Sequence, residues 1–229
     1  MTLPNAPYNA REIIRAGSEQ LGIPLTDLAL ERMLVHMRMI KEWNARANLT
    51  SVIDPREMAV RHYLDSLALL LVFPKIDRPR VLDIGTGAGF PGLVLASAVD
   101  RVKIALLDRD PLKIVFLKHA TKHMSLDQVR FLNMAIGPLL HDADAYVSDL
   151  IVSRAFSSNA ALMDNFHVLL KEGGYLARMT GPGTSVESLS LEHFEIVNTW
   201  EGTLPFSTRF RRVILYRKIS YSGGVRETR

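Results

Sequence analysis

Apolar residues recur at intervals of three and four along the first third of the chain, then gather into short runs beyond residue 80. Leu30, Met33, Leu34, Met37 and Ile40 make one apolar stripe, as expected of an amphipathic helix laid on a core. Asn9-Ala10-Arg11-Glu12 has the form of a capping box and predicts a first helix ending near Gly22-Ile23-Pro24. Thr26 is placed to cap the second. Asp54-Pro55-Arg56-Glu57 joins a cap, a proline at the first helical position and an acid at the third. The helix it opens puts Val60, Tyr63 or Leu64, Leu67 and Leu71 on one face, and Phe73–Pro79 reads as the linker that follows.

From Arg80 the runs alternate with helix-length stretches. Strands are expected at Val81–Ile84, Lys103–Leu107, Val129–Leu132, Leu150–Val152, Tyr175–Met179, Phe194–Trp200 and Val213–Arg217. Helices are expected up to about Ala98, over Pro111–His123 and over Asn159–Leu170; Gly173-Gly174 reads as the turn into the fifth strand. The interval Ala135–Asp149 is polar and irregular with a Gly137-Pro138 turn, and Gly181-Pro182-Gly183 precludes regular structure. Such alternation predicts an α/β fold: a mostly parallel seven-stranded sheet with right-handed crossovers, helices on both faces, and a helical N-terminal appendage. The last two strands follow each other without a long helix, so one of them is expected to be antiparallel. The expected division is 1–78 for the appendage, 79–220 for the sheet domain and 221–229 for a polar, mobile tail.

Composition narrows the function classes. At 229 residues and 48% hydrophobic, the chain suits one α/β domain with an appendage or two small domains. It has no cysteine, which excludes a disulfide framework, a zinc ribbon and a cysteine nucleophile, and fits a reducing cytoplasm. Met1-Thr2-Leu3-Pro4-Asn5 lacks the basic and apolar regions of a signal peptide, and no apolar run approaches the ~18–20 residues of a membrane span. The net charge of +4 permits a nucleic-acid partner without demanding one. Of the histidines only His119 and His123 share a helix face at four-residue spacing, and a pair without a third ligand assigns no metal.

The candidate chemistry centres on Val81–Gly92. A short buried strand ends in Asp83-Ile84, after which Gly85, Gly87 and Gly89 allow a sharp turn and close backbone approach to a ligand. Pro91 suits the first turn of a helix. Strand, glycine loop and helix start together form the ligand crevice of an open α/β sheet. A dinucleotide would rest its pyrophosphate on the helix start. S-adenosylmethionine instead brings an amino-acid end, a sulfonium cation and a ribose, and Asp83 ahead of the glycines suits that cation better. Asp108, closing the second strand, is placed to accept from the ribose hydroxyls that either ligand carries. The pattern favours the methyl donor, with a dinucleotide, or a plain glycine turn beside two solvated acids, as the alternatives.

Four segments in order then carry a resemblance: Ala47-Asn48-Leu49-Thr50-Ser51, Arg61-His62-Tyr63-Leu64-Asp65-Ser66, Asp83–Gly92 and Ser153-Arg154-Ala155-Phe156. Together they resemble the bacterial glucose-inhibited division protein B family, the guanine-N7 methyltransferases of 16S ribosomal RNA, from the second helix to about Leu176. The resemblance implies a class I (Rossmann-like) methyltransferase domain bearing a helical appendage, S-adenosylmethionine as cofactor with S-adenosylhomocysteine as product, and 16S rRNA or the small ribosomal subunit as partner. It implies cofactor contacts at Gly85, Phe90, Ala135, Ile136 and Arg154, and a ribose role for Asp108. Where the family usually has Ala-Glu this chain has Ala135-Ile136, which leaves backbone contacts to the adenine but no acidic side chain. Where the family's strand usually ends in Leu-Lys-Gly the chain reads Arg178-Met179-Thr180-Gly181, which leaves either Arg178 as the stand-in on RNA or a different acceptor.

Each residue so marked has a structural alternative. Arg154, at the carboxyl edge of the sheet, is expected to fork onto a carboxylate or phosphate, or else to form an ion pair. His62 and Asp65 share a helix face and either line the cleft or simply pack. Asn48 is a cleft residue or a turn residue. Two basic sets, Arg209, Arg211, Arg212, Arg217 and Lys218 on the last strands and Arg11, Arg15, Arg38, Lys41 and Arg46 on the appendage, are candidates for phosphate contact or plain solvated faces. Guanine N7 has an in-plane lone pair and no proton, so its methylation needs alignment and no general base. A splayed guanine would stack on an aromatic or arginine plane, with Phe90 and Phe156 as possible platforms or core residues. No metal is called for and a monomer is expected. A methyltransferase with another acceptor, a cofactor-binding module without catalysis and a dinucleotide oxidoreductase are the competing readings.

Overall fold

A computed structural model of the protein describes residues 9–135, 147–154, 166–181 and 193–219. Ile136, Phe156, the Gly137-Pro138 turn, Pro182-Gly183, the first residues of the helix expected from Asn159 and the 221–229 tail lie outside them.

The N-terminal helices begin where their caps predict. In α1 (Ala10–Gln20) the Asn9 side chain accepts from Glu12 N and Glu12 answers at the Asn9 backbone, a complete capping box. α2 (Asp27–Ala47) starts at Thr26, whose hydroxyl accepts from Ala29 N, and buries Leu30, Met33, Met37 and Ile40, with Leu34 at the margin of that stripe. α3 (Pro55–Met58) starts on Asp54, which accepts from both Arg56 N and Glu57 N. The uniform helix expected to follow is not formed. α3 widens into a π turn over Ala59–Leu64, continues as α4 (Asp65–Leu67) and tightens into a 3₁₀ turn over Ala68–Leu71. The wide turn breaks the three-and-four spacing, so Tyr63 through Leu69 are all buried in succession.

The sheet has seven strands: β1 (Arg80–Ile84), β2 (Lys103–Asp108), β3 (Val129–Asn133), β4 (Ser148–Ser153), β5 (Leu170–Thr180), β6 (Phe194–Thr203) and β7 (Phe210–Lys218), in the order β3-β2-β1-β4-β5-β7-β6. The first five neighbours in that order run parallel, and β7 is antiparallel to both β5 and β6. The crossover helices α5 (Gly92–Ala98) and α6 (Pro111–His123) carry β1 to β2 and β2 to β3. Two differences from the sequence reading are local. Pro91 caps α5 from outside it and does not sit in its first turn. Gly173-Gly174 does not precede the fifth strand but lies within it, as a bulge: Ser148 pairs with Leu170 and Leu150 next with Tyr175, with Gly173 at φ +69°.

Alternation along the strands sorts their side chains onto two faces. Val81, Ile104, Leu106, Leu150, Val152, Ala177, Met179, Val213 and Leu215 share one core with α1 through α6. Leu82, Leu107, Ile151, Leu176, Ile214 and Tyr216 point the other way, to a core closed by Phe166 and Leu169 in a helical stretch at 166–169. The N-terminal helices therefore lie on the face occupied by α5 and α6, with their apolar stripes continuous with the sheet's own core. Among the described residues no helix is long and apolar enough to cross a membrane.

Candidate functional site

The glycine loop between β1 and α5 is fastened from below by two carboxylates. Asp83, fully buried, accepts with one oxygen from both Thr86 Oγ1 (2.7 Å) and Gly92 N (2.8 Å). Its other oxygen, Oδ1, is buried with no hydrogen-bond partner. Burial pushes the Asp83 carboxyl up to about 6, against the pull of the Thr86 and Gly92 bonds. Asp108 accepts from Gly87 N (2.9 Å) and Asp110 N (3.0 Å), and Gly85 N and Thr86 N both donate to the Leu107 carbonyl. These bonds fold the loop back over the ends of β1 and β2. Two glycines are required by space. A Cβ on Gly92 would lie 2.3 Å from Leu106 and 2.7 Å from Asp83 Oδ2, and one on Gly89 would meet Leu93 at 2.6 Å. Gly85 and Gly87 differ: at φ +69° and +58° they take left-handed backbone, and the space before them is open.

A third tether comes from α2. His36, fully buried, places Nε2 2.7 Å from the Ala88 carbonyl and Nδ1 3.1 Å from the Tyr63 hydroxyl. A carbonyl only accepts, so Nε2 carries the proton and Nδ1 accepts from Tyr63. Burial drives the His36 imidazole down to about 4, the Ala88 bond opposing, and lifts the Tyr63 hydroxyl well above its ordinary value. His36 has no metal-ligand spacing in the sequence; its place inside the Met33–Met37–Ile40 stripe is the signal that it is buried and must be paired.

The wall facing the loop is built by the π turn. It turns His62 and Tyr63 toward the same loop, Tyr63 onto His36 and His62 onto Phe90, whose ring it stacks on at 4.8 Å and 29°. His62 Nε2 lies 2.8 Å from Thr50 Oγ1, and Thr50 is pinned at both backbone atoms by the Asn44 amide. Burial first, and the Arg154 cation second, push His62 down to about 4, so it is neutral at pH 7. Arg154, just past β4, lays its guanidinium 5.0 Å over the Phe90 ring, with Nη1 3.5 Å from His62 Nδ1 and 3.7 Å from Asp65 Oδ2. Burial lowers the Arg154 pKa, and Asp65 and Asp83 oppose that shift. A cavity of about 120 Å³ lies between, lined by Thr50, His62, Phe90, Arg154 and the backbone of Gly85 and Gly87. A larger cavity, about 670 Å³, opens at the other end of the strands, beside Ala98, Val102 and Val129. The guanidinium of Arg32 there is committed to the Met124 and Ser125 carbonyls, and no loop glycine borders it.

Asp83, Gly85, Gly87, Gly89, Phe90, Asp108, His62 and Arg154 thus converge, while several expected residues fall elsewhere. Asn48 is exposed and takes left-handed backbone (φ 43°) as the C-cap of α2; in that segment Leu49 and Thr50 reach the cavity. Phe90 is 2% exposed between His62 and Arg154, so it is no open platform for a base. Arg178 is 4% exposed on the opposite face of the sheet, beside Leu176 and Tyr216, so its guanidinium lies in that core and away from the loop. Arg212 turns to that same face and pairs with Glu201. Arg211 is no solvated cation: it reaches Asp65, with Nε 2.7 Å from Oδ1. Arg209 and Ala135 are exposed. Among the described residues no cluster of three or more His, Asp or Glu side chains could hold a metal ion.

Comparison with known proteins agrees with this geometry. A solved structure of a SAM dependent methyltransferase from Aquifex aeolicus superposes with a TM-score of 0.54 at 19% identity, covering 72% of this chain and 94% of that one, which establishes the fold. The chain is 38% identical over 172 residues to a ribosomal RNA small subunit methyltransferase G of Neisseria meningitidis, 75% of this chain and 80% of that protein. A protein of the same name from Alkaliphilus metalliredigens is 29% identical over 219 residues, 92% of this chain and 91% of its own length. The model of the GidB family, described as rRNA small subunit methyltransferase G, matches residues 29–203, a span that takes in most of α2, the π turn, the glycine loop and Arg154, and the chain belongs to that family.

Proposed function

We propose that the protein methylates N7 of a guanine in the RNA of the small ribosomal subunit, using S-adenosylmethionine. The observation that carries the reading is the tethered loop: Gly85 and Gly87 present bare backbone to a cavity closed by Arg154 and His62, and Asp83, two residues before Gly85, keeps a buried oxygen without a partner. A ligand with an ammonium group suits that oxygen, and a carboxylate suits Arg154, which has N–H donors to spare. An amino-acid end brings both. Asp108 keeps acceptor capacity beyond its bonds to Gly87 and Asp110, and a ribose is the expected occupant. Asn133 at the end of β3 pairs with Asp108 in the parallel register, two residues before Ala135, which with Ile136 is the expected adenine neighbour.

S-adenosylmethionine supplies a methyl group already activated on a sulfonium. The chain's task is to bind, to align and to keep water out. N7 has no proton to lose, so the neutral His62 serves as a packing and orienting group and not as a base. Holding the reactants in line can contribute roughly 7–11 kcal/mol where the geometry is that of a near-attack conformer. With Phe90 covered, the Arg154 guanidinium is the plane that the described residues offer a splayed guanine. An enzyme of ribosomal RNA works where ribosomes are, in the cytoplasm, and as a monomer it would meet its RNA through the exposed cations on α2 and at Arg209. The test is titration with S-adenosylhomocysteine beside NADH, then methyl transfer to naked 16S rRNA and to assembled subunits, with borohydride–aniline cleavage to mark N7-methylguanine. Binding of NADH alone, or transfer to an acceptor other than guanine N7, would overturn the reading.

A further inference from the structure

Strand alternation puts two arginines from distant parts of the chain on one face at one edge. Arg154 lies two residues past Val152 and Arg211 two before Val213, and both valines face the helical layer. β7 runs antiparallel to β5, so its beginning lies at the edge where β4 ends. Between the two guanidiniums stands Asp65, at the start of α4, its side chain only 9% exposed. The sharing is unequal. Arg211 Nε meets Asp65 Oδ1 at 2.7 Å, whereas Arg154 Nη1 stays 3.7 Å from Oδ2. Among the described residues Arg154 has otherwise only soft contacts, a ring face at 5.0 Å and a neutral imidazole at 3.5 Å.

We propose that Arg211 is a positioning residue of the methyl-transfer site: by holding Asp65 it leaves the guanidinium of Arg154 open to an anionic group of the substrate pair. A carboxylate buried to this degree takes the nearest cation it can reach. With Arg211 in place that cation is Arg211, and the Arg154 guanidinium is left without a carboxylate at hydrogen-bond distance. Without it Asp65 closes the last ångström onto Arg154. The proposal rests on the reading that Arg154 faces bound substrate. The anionic group is either the carboxylate of the cofactor's amino-acid end or an RNA phosphate, and the two separate in the measurement.

The experiment compares wild type, Arg211→Met, Asp65→Asn and the double variant in the full chain, each checked by thermal melting. S-adenosylhomocysteine affinity reads the carboxylate; KM and kcat for small-subunit rRNA read the phosphate and the alignment. Arg211→Met is expected to lower kcat/KM by about tenfold or more, as for removal of a charge-assisted hydrogen bond. The deficit falls in cofactor affinity if Arg154 holds the carboxylate, and in RNA KM or kcat if it holds a phosphate. Asp65→Asn leaves two unbalanced arginines and is also expected to be impaired. The double variant leaves Arg154 again without a competing carboxylate and should return to within about threefold of wild type in kcat/KM, with the melting temperatures reading any structural share of the pair separately. It carries no lone buried carboxylate, so it remains readable if Arg211→Met does not fold. Full activity in a folded Arg211→Met would overturn the proposal, as would a folded double variant no better than Arg211→Met, since Arg211 would then act on its own. Wild type that binds no S-adenosylhomocysteine sinks the function proposed above, whatever the variants do.

Discussion

His36 gives the fold a defined sensitivity to acid. It is fully buried, donates to Ala88 and accepts from Tyr63, and burial holds it near 4 where a free histidine titrates at 6.5. The folded state accepts only the neutral ring, so the unfolded chain binds the extra proton. The contribution of His36 is therefore intact above pH 6.5 and is lost progressively as pH falls from 6.5 toward 4. Each unit in that window removes about 1.4 kcal/mol, so acidification from pH 7 to 5 removes about 2 kcal/mol. Asp83 acts with the opposite sign: its carboxyl is raised from 3.8 to about 6, so protonation below pH 6 relieves part of the folded state. His62, also held near 4 by burial, acts with the same sign as His36, so the wild-type slope mixes three groups and a difference measurement is needed. His36→Gln keeps a donor for Ala88 but cannot titrate. Urea unfolding at pH 7 and pH 5 should show wild type losing about 2 kcal/mol more than His36→Gln. Equal losses in the two would refute the assignment of a neutral, buried His36. His36→Leu should add a pH-independent loss of about 1–3 kcal/mol, because the Tyr63 hydroxyl and the Ala88 carbonyl are left unpaired.

Asp108→Ala should weaken S-adenosylhomocysteine binding by about 1–3 kcal/mol through the ribose contact and the freed Gly87 N–H, measured by calorimetry on folded protein. Gly92→Ala should lower the melting temperature even without cofactor, since its Cβ would meet Leu106 and Asp83 and the Asp83 bond to Gly92 N would have to shift. Replacing Arg38, Lys41 and Arg46, exposed and outside any ion pair among the described residues, should flatten log K for RNA against log salt by about 0.7–0.9 for each phosphate no longer neutralised. An unchanged slope would place the RNA on another surface.

The loop and its acids were legible because their signal is local. A strand ending in an acid, three glycines and a second strand ending in an acid leave few alternatives, and Asp83 and Asp108 do fasten the loop. Caps were legible for the same reason at Asn9, Thr26 and Asp54. The π turn was not, since apolar spacing assumes a constant pitch and Ala59–Leu64 departs from it. Within the Asn48–Thr50 segment the polar asparagine drew attention, yet its left-handed backbone turns it to solvent and leaves Thr50 to meet His62. Ile136 and Phe156 lie outside the described residues.

Charge was the least legible quantity, because its meaning depends on face and partner. Arg178, Arg211 and Arg212 look alike in sequence as cations near the end of the sheet. Their neighbours decide otherwise. Arg178 follows Leu176 and shares its face, so it is buried beside Tyr216, away from the loop. Arg212 alternates with Ile214 to that same side and meets Glu201. Arg211 alternates with Val213 to the helical side and meets Asp65, a residue 146 positions earlier. Parity against a buried aliphatic two residues away could have sorted all three, given the strand direction. What parity could not supply is the identity of the acid, because Asp65 reaches that edge only through the widened turn that also carries His62. The irregular turn is therefore what brings the first helices, the glycine loop and the last strand to one place, and a deletion that restores regular α pitch there should disconnect all three.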